Sequence, residues 1–310
     1  MKDPYECIII GAGIAGLQAA IQLGRYNRKV LVIDSGSGRS TLCRSYHNIL
    51  GWPEGVSGQT LRKLGKEQAE KSGVHFLNGR VTGVKKAGSI FHVETANGEK
   101  HKAMRILLAT GLTDRLPDLP NLLPCLGISI YVCPDCDGYE VQKKKTLILG
   151  SGTAGANLAL TLTYWTSDLT YINHEKEKVP EEIKTKLFEK GIVCVEEAIA
   201  SVLVKAPSEF IGVKLSDGRK IDGERAFTAF GGNTVHSELA GMLGAERLQN
   251  KHVVVNPRTK ETSIQYVWAA GDIGVHSEQV TIAMGDGCQA AIWIHKSLLE
   301  GNRTISHQAD

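Results

Sequence analysis

Apolar and polar positions along this chain fall into blocks that predict alternating strands and helices. Glu6-Cys7-Ile8-Ile9-Ile10 is a continuous apolar run that ends in a glycine turn, Gly11-Ala12-Gly13-Ile14-Ala15-Gly16. A short unbroken apolar run reads as a strand covered on both faces. Leu17-Gln18-Ala19-Ala20-Ile21-Gln22-Leu23 then has helical spacing and strong helix formers. Residues 29–34 predict a second strand, which closes on Asp34. Residues 35–58 are rich in glycine and polar side chains, with Tyr46-His47-Asn48 among them, and predict a loop. An amphipathic helix is expected over 59–72. Short strands are expected over 74–77, 80–84, 90–94 and 100–108, with Lys86-Ala87-Gly88 and Asn97-Gly98 as turns between them. That is a small antiparallel sheet inserted into a parallel one.

A proline-rich connection over 117–124 is the best domain boundary. Beyond it the plan repeats. A strand over 145–149 runs into Gly150-Ser151-Gly152-Thr153-Ala154-Gly155, followed by a helix over 154–165 and a strand over 169–173. A helix over 181–190 and short strands near 193, 200–204, 211–215 and 226–230 complete the block, with Asp217-Gly218 as a hairpin turn. Each block ends in a strand that enters a glycine, Gly111 or Gly231. The shared order points to an internal duplication. The tail adds a strand over 266–272 that exposes Asp272, and a helix from about 279 to 299. It carries no glycine turn for a nucleotide, so it is expected to return to the first domain. The domains are therefore drawn as 1–116 with 245–310, and 117–244. The fold class is α/β, with two Rossmann-like dinucleotide-binding domains and inserted small antiparallel sheets.

The first strand, glycine turn, helix and acid-ended strand together are what a dinucleotide needs. Glycines let the backbone approach a pyrophosphate at a helix N-terminus, and Asp34 is placed to accept from a ribose diol. Between the two glycine turns stands Val132-Cys133-Pro134-Asp135-Cys136-Asp137-Gly138-Tyr139-Glu140. Two cysteines at this spacing can cycle between disulfide and dithiol, and a helix start lowers a thiol pKa. Asp137 is placed to manage the proton. Asp135, between the sulfurs, opposes thiolate formation. A structural zinc needs four ligands, and no second CxxC or HxxxH exists to supply them. Two nucleotide sites around one dithiol predict electron flow from a nicotinamide through a flavin to a disulfide. Cys7 and Cys288 fall in apolar elements and read as buried thiols, whereas Cys43 lies in the polar loop and is a candidate secondary reactive thiol.

Composition changes little. In 310 residues, 42% hydrophobic and 22% charged with a formal net charge of +3, there is room for about two domains and no basic block that argues for nucleic acid. No run of 18 apolar residues predicts a membrane span and no signal peptide is visible, so a cytoplasmic protein is expected. Seven cysteines, mostly scattered, do not read as a secreted disulfide framework.

Over nearly its whole length the chain resembles the low-molecular-weight thioredoxin reductase family of FAD-dependent disulfide oxidoreductases. The carriers are the two glycine turns, Asn48, Ala109-Thr110-Gly111, Cys133-Pro134-Asp135-Cys136-Asp137-Gly138 and Ala270-Gly271-Asp272, in that family's order. The resemblance implies FAD in the first domain, held by Gly11, Gly13, Ile14, Ala15, Gly16, Asp34, Ser35, Asn48, Val81, Ala109, Thr110, Gly111, Gly271, Asp272, Gln279 and Val280. It implies that Asp272 bonds the ribityl chain and that the backbone at Gln279 and Val280 faces the flavin pyrimidine. It implies a nicotinamide site at Gly150, Gly152, Thr153, Ala154, His174 and Lys176. Cys133, Cys136 and Asp137 become the catalytic residues, with Cys136 as the sulfur nearer the flavin and Cys133 as its pair; which of the two attacks the partner is left open by the sequence. A homodimer and a thioredoxin-like protein partner follow from the same resemblance.

Two departures stand out. NADPH-using members carry His-Arg-Arg after the second strand of the nicotinamide domain, where this chain has His174-Glu175-Lys176-Glu177. Glu175 would repel a 2′-phosphate and suits a free ribose diol, so either NADPH or NADH is open as donor. Asp137-Gly138-Tyr139-Glu140 and Met284-Gly285-Asp286-Gly287 resemble a side branch of dithiol oxidases, although that branch has His at the position of Asp137. The alternatives are a dithiol oxidase or a ferredoxin-fed disulfide reductase acting on a small-molecule dithiol or disulfide, and a flavin-binding redox sensor.

Overall fold

The computed structural model describes residues 3–306, with residues 301–306 described as backbone only. The chain divides into two compact units. One comprises Met1–Thr41, Gln59–Thr113 and Thr234–Asp310, and the other Leu42–Gly58 and Asp114–Asn233.

In the first unit, Tyr5–Ile10 is the central strand of a parallel core. It pairs with Val30–Asp34 on one side and with Lys100–Leu108 on the other. His75–Asn78 extends the sheet beyond Val30–Asp34. Lys100–Leu108 is shared by two partners. Its first half pairs antiparallel with Ile90–Thr95, and its last residues pair parallel with Val267–Ala269. The tail therefore completes the first sheet as a fifth parallel strand. The inserted strands Val81–Ala87 and Ile90–Thr95 continue this same sheet instead of forming a separate one. Burial explains the strand signals: Ile8, Ile9, Leu107 and Leu108 are fully covered, because helices lie on one face and the antiparallel insertion on the other.

Helix Ile14–Arg25 packs along the long C-terminal helix Val280–Ser306. Their approach is close enough that a Cβ on Gly287 would stand 2.1 Å from the Ala15 carbonyl oxygen; Gly271, ahead of the second helix, is also tight, with a Cβ there 2.8 Å from Ala15 Cβ. Small residues at these points are required by backbone contact.

The second unit repeats the arrangement. Thr146–Gly150 lies between Leu169–Asn173 and Arg225–Ala229, with Val193–Val195 and Ile130–Tyr131 at the edges, and all of these pairs are parallel. Here the insertion is a separate three-stranded antiparallel sheet, Ile199–Ala206, Glu209–Leu215 and Lys220–Asp222. Sequence pattern missed the two-residue strand Ile130–Tyr131, which is too short to show a period. The predicted loop over 35–58 contains one helical turn, Arg39–Leu42. Among the described residues no helix is long and apolar enough to cross a membrane.

Candidate active site

The dithiol turn is built from three local features. Pro134 occupies the first position of a one-turn helix, Pro134–Asp137, and Cys133 caps it. Proline is pre-set for this place because its missing N–H would be unsatisfied there anyway. The Cys133 carbonyl accepts from the N–H groups of Cys136 at 3.2 Å and Asp137 at 3.0 Å. Gly138 then lies under the Trp165 ring, where a Cβ would stand 2.5 Å from the indole. The turn is thus seated on Trp165, which lies in the turn after helix Gly152–Leu162. Both cysteines are thiols, half-buried, with their sulfurs 2.9 Å apart. That separation is short of ordinary sulfur contact, so closing a disulfide requires little movement.

The electrostatics favour one thiolate. The Cys136 thiol donates to Cys133 and holds its pKa below the ordinary thiol value, against burial and the charges of Asp135 and Asp137. Asp135 opposes the thiolate as the sequence predicts. Burial and, secondly, the Glu140 charge push Asp137 up to about 7. Glu140 also lies 3.9 Å from His47 Nδ1, and His47 Nε2 is 3.0 Å from the Ser45 hydroxyl. His47 belongs to segment Leu42–Gly58, which clusters with the dithiol unit. Cys43 of that segment is no ready nucleophile. Burial and Asp137 push its thiol up to about 12, and it donates to the Ser45 carbonyl.

The first glycine turn has the form a dinucleotide requires. Gly11 has φ +105°, and a Cβ there would lie 2.3 Å from the Ala109 carbonyl oxygen. Gly16 abuts the Gly11 carbonyl, where a Cβ would stand at 1.9 Å. Gly13, by contrast, faces open space, with nothing within 4 Å of an added Cβ. Gly13 caps helix Ile14–Arg25 without a capping side chain, and the first turn contains no acid. An uncapped helix start beside an open glycine fits a pyrophosphate. Asp34 ends its strand with one carboxylate oxygen accepting from Ala12 N–H at 2.8 Å and the other from Arg62 at 2.8 Å and Gly36 N–H at 3.1 Å. Ser35 follows it, its hydroxyl 3.3 Å from that of Ser37.

Ala109, Thr110 and Gly111 lie past the strand that pairs with Tyr5–Ile10; Ala109 N–H bonds Ile10 O at 2.8 Å, and the Thr110 hydroxyl bonds His236 O. Val81 opens the strand Val81–Ala87 and is buried. Gly271 adopts φ +78°, and Gln279 immediately precedes helix Val280–Ser306. Asp272 is paired with Arg39 at 3.1 Å, and Arg39 also grips Glu278 at 2.5 Å. Burial raises the Asp272 pKa, with Arg39 opposing it. Among the residues expected at this site, Asn48 is the exception: it is exposed and lies in the segment that clusters with the other unit. Arg39, Arg62 and Glu278 carry no motif signal; only the fold brings them to Asp34 and Asp272.

The second turn is formed but differently charged. Gly155 packs under Tyr171, and Gly152 has φ +51° with its N–H bonded to Asn173 Oδ1 at 2.9 Å. Ser151 caps helix Gly152–Leu162 without a capping side-chain bond; Thr153 and Ala154 occupy its first turn. Glu177 lies over the turn, its carboxylate 2.8 Å from where a Gly152 Cβ would stand. His174 Nδ1 accepts from Ile199 N–H at 2.8 Å, and burial lowers its pKa. Lys176 is paired with Glu197 at 3.0 Å. Glu175 is engaged by Arg115, and the Ser151 hydroxyl and that guanidinium hold its carboxyl below the usual range. A diol finds acceptors here, and a phosphate finds carboxylates.

Residues 5–287 match the pyridine nucleotide-disulphide oxidoreductase family. The chain belongs to that family. It is 29% identical over 306 residues to a thioredoxin reductase of Treponema pallidum, covering 94% of this chain and 96% of that one. Its fold matches the crystal structure of HlmI with TM-score 0.88 at 26% identity, over 100% of this chain and 97% of that one. An oxidoreductase from Agrobacterium tumefaciens matches with TM-score 0.78 at 29% identity, over 96% and 99%. The expected resemblance to low-molecular-weight thioredoxin reductases is met, as is the α/β fold class. The protein is thus a flavin-dependent disulfide oxidoreductase of the thioredoxin reductase type, and its family uses FAD and a pyridine nucleotide.

Proposed function

We propose that the enzyme takes two electrons from NADH, passes them through FAD to Cys133 and Cys136, and delivers them to the disulfide of a thioredoxin-like protein. The observation that carries this reading is the dithiol turn itself: two thiols 2.9 Å apart beside a carboxyl whose pKa is about 7. FAD, when bound, supplies a two-electron carrier between nicotinamide and disulfide. The residues of the chain manage sulfur and protons. The Cys133–Cys136 disulfide accepts the electron pair, and Asp137 gives a proton to the Cys136 sulfur. The Cys133 thiolate attacks the partner's disulfide, breaking it, forming one mixed disulfide and releasing one partner sulfur as a thiolate that takes its proton from solvent. Cys136, deprotonated by Asp137, attacks the Cys133 sulfur, restores the intramolecular disulfide and releases the second partner sulfur as a thiolate, which the Asp137 carboxyl or solvent protonates.

NADH is favoured because two cations near the end of strand Leu169–Asn173, Lys176 and Arg115, are paired with Glu197 and Glu175, and because Glu175 and Glu177 add negative charge there. The first and second units are read as the FAD and nicotinamide domains, and a cytoplasmic homodimer is part of the same proposal. The oxidase, ferredoxin-fed and sensor alternatives are not favoured by the relatives. The test is NADH oxidation with an oxidised thioredoxin. Turnover that disappears in Cys136→Ser, with FAD retained, is expected; turnover that survives it would refute the assignment.

A further inference from the structure

The stretch over 271–279, which carries Asp272 and Gln279, is held by a buried charge cluster that no step above uses. Asp286, inside the second turn of helix Val280–Ser306, is buried, and its carboxylate faces two cationic side chains and one backbone N–H. Its Oδ1 meets Lys260 Nζ at 2.8 Å. Its Oδ2 meets His276 Nε2 at 2.6 Å and accepts from Gly271 N–H at 3.2 Å. The other nitrogen of His276, Nδ1, is 2.7 Å from the Ser277 carbonyl oxygen. Both ring nitrogens therefore face oxygens that only accept. A neutral imidazole has a single N–H and no charge; the doubly protonated ring can donate to the Ser277 carbonyl and also carries the positive charge that pairs with Asp286.

We infer that Asp286 and a doubly protonated His276 form a proton-dependent lock that holds the 271–279 stretch, and Asp272 with it, in position for FAD. This rests on the reading of Asp272 and Gln279 as flavin-site residues. The clamp acts at the first residue of the segment, through Gly271 N–H, and within it, through His276. The charged groups around the ring are Asp286, Lys260 and Asp272; Asp286 raises the His276 pKa and Lys260 opposes it. His276 and Lys260 hold Asp286 ionised in spite of its burial. The sign follows. A histidine whose pKa is raised in the folded protein contributes fully below about 6.5, and that contribution is lost as pH rises through the raised value. Loss of the proton removes the His276–Asp286 ion pair, leaving Asp286 to Lys260 and the Gly271 N–H, and the segment loosens.

FAD retention by the holoenzyme should therefore weaken toward alkaline pH. It is measured by ultrafiltration at a series of pH values from about 6 to 9.5, with free flavin read in the filtrate. The wild type is expected to lose FAD affinity by about tenfold across that range. His276→Asn is expected to bind FAD weakly already at the acid end and to show no pH slope, with its fold checked by circular dichroism. Asp286→Asn should match it. A wild-type affinity that does not change with pH, or a His276→Asn profile that keeps the wild-type slope, would overturn the lock. The wild-type profile needs no variant, so a misfolded mutant does not shield the inference. Wild-type protein that takes up no FAD at any pH would instead overturn the flavin-site reading beneath it.

Discussion

Asp137 owes its pKa of about 7 to burial and to the charge of Glu140. A proton donor with that value is present below about pH 7 and fades above it, so disulfide reduction should decline on the alkaline side. Glu140→Gln removes the like charge, lowers the Asp137 pKa and moves the decline to lower pH, by up to about one unit. A pH–rate profile of the variant that coincides with the wild type would remove Glu140 from the account. Asp137→Asn should slow turnover by about 10²- to 10⁴-fold, the usual range for a lost acid–base group. At Cys133, Asp135→Asn should lower the thiol pKa, measured by thiolate absorbance, because Asp135 is one of the charges that raise it. Gly13 provides a separate test of the flavin turn. Its φ of −70° suits any residue and an added Cβ meets nothing within 4 Å, so Gly13→Ala should leave the melting temperature of the FAD-free protein unchanged while weakening FAD binding. Equal FAD affinity in that variant would mean that no pyrophosphate passes there.

At the scale of elements, the dithiol turn depends on what it rests on. Gly138→Ala would drive a methyl group into the Trp165 ring, and a cost of about 1–3 kcal/mol is expected from overpacking of this kind. A chemical denaturation curve should show it, with the slope unchanged. The CxxC turn, both glycine turns and the buried strands were legible in the sequence because each has a local cause. Glycine is demanded by contact at Gly11 and Gly16, and apolar runs by cover on both faces. Strand Leu169–Asn173 likewise lies where its apolar pattern places it, since all five of its residues are buried. What was not legible is contact between distant residues. Arg39 meets Asp272, Arg62 meets Asp34, and Lys260 and His276 meet Asp286, with no spacing rule to connect them. The place of Leu42–Gly58 in the second unit was hidden for the same reason, since its polar composition says only that it is a loop.

Across the whole molecule, the two units share one strand plan. In each, the strand before a glycine turn lies between an acid- or amide-ended strand, closing on Asp34 or Asn173, and a strand that runs toward Gly111 or Gly231. In each, a short fifth parallel strand stands beside that last one, Val267–Ala269 in one unit and Ile130–Tyr131 in the other. The duplication read from the glycine turns thus extends to the sheets, although the fifth strand comes from the tail in one case and from ahead of the dithiol in the other. The two glycine turns differ in charge: the first has Asp34 with Arg62 beside it, and the second has two carboxylates, Glu175 and Glu177, of which Glu175 is paired with Arg115. If the second turn holds the nicotinamide nucleotide as proposed, Glu175→Arg should improve the KM for NADPH by about tenfold or more, because a guanidinium would replace a carboxylate that repels the 2′-phosphate. The most direct measurement is an anaerobic titration of the purified holoenzyme with NADH and, separately, NADPH, following the visible absorbance of the flavin. The account predicts rapid bleaching by NADH, complete after about two equivalents in the wild type and about one in Cys136→Ser, with NADPH at least about tenfold slower. Equal bleaching by NADPH, no bleaching by either nucleotide, or the same stoichiometry in Cys136→Ser would contradict it.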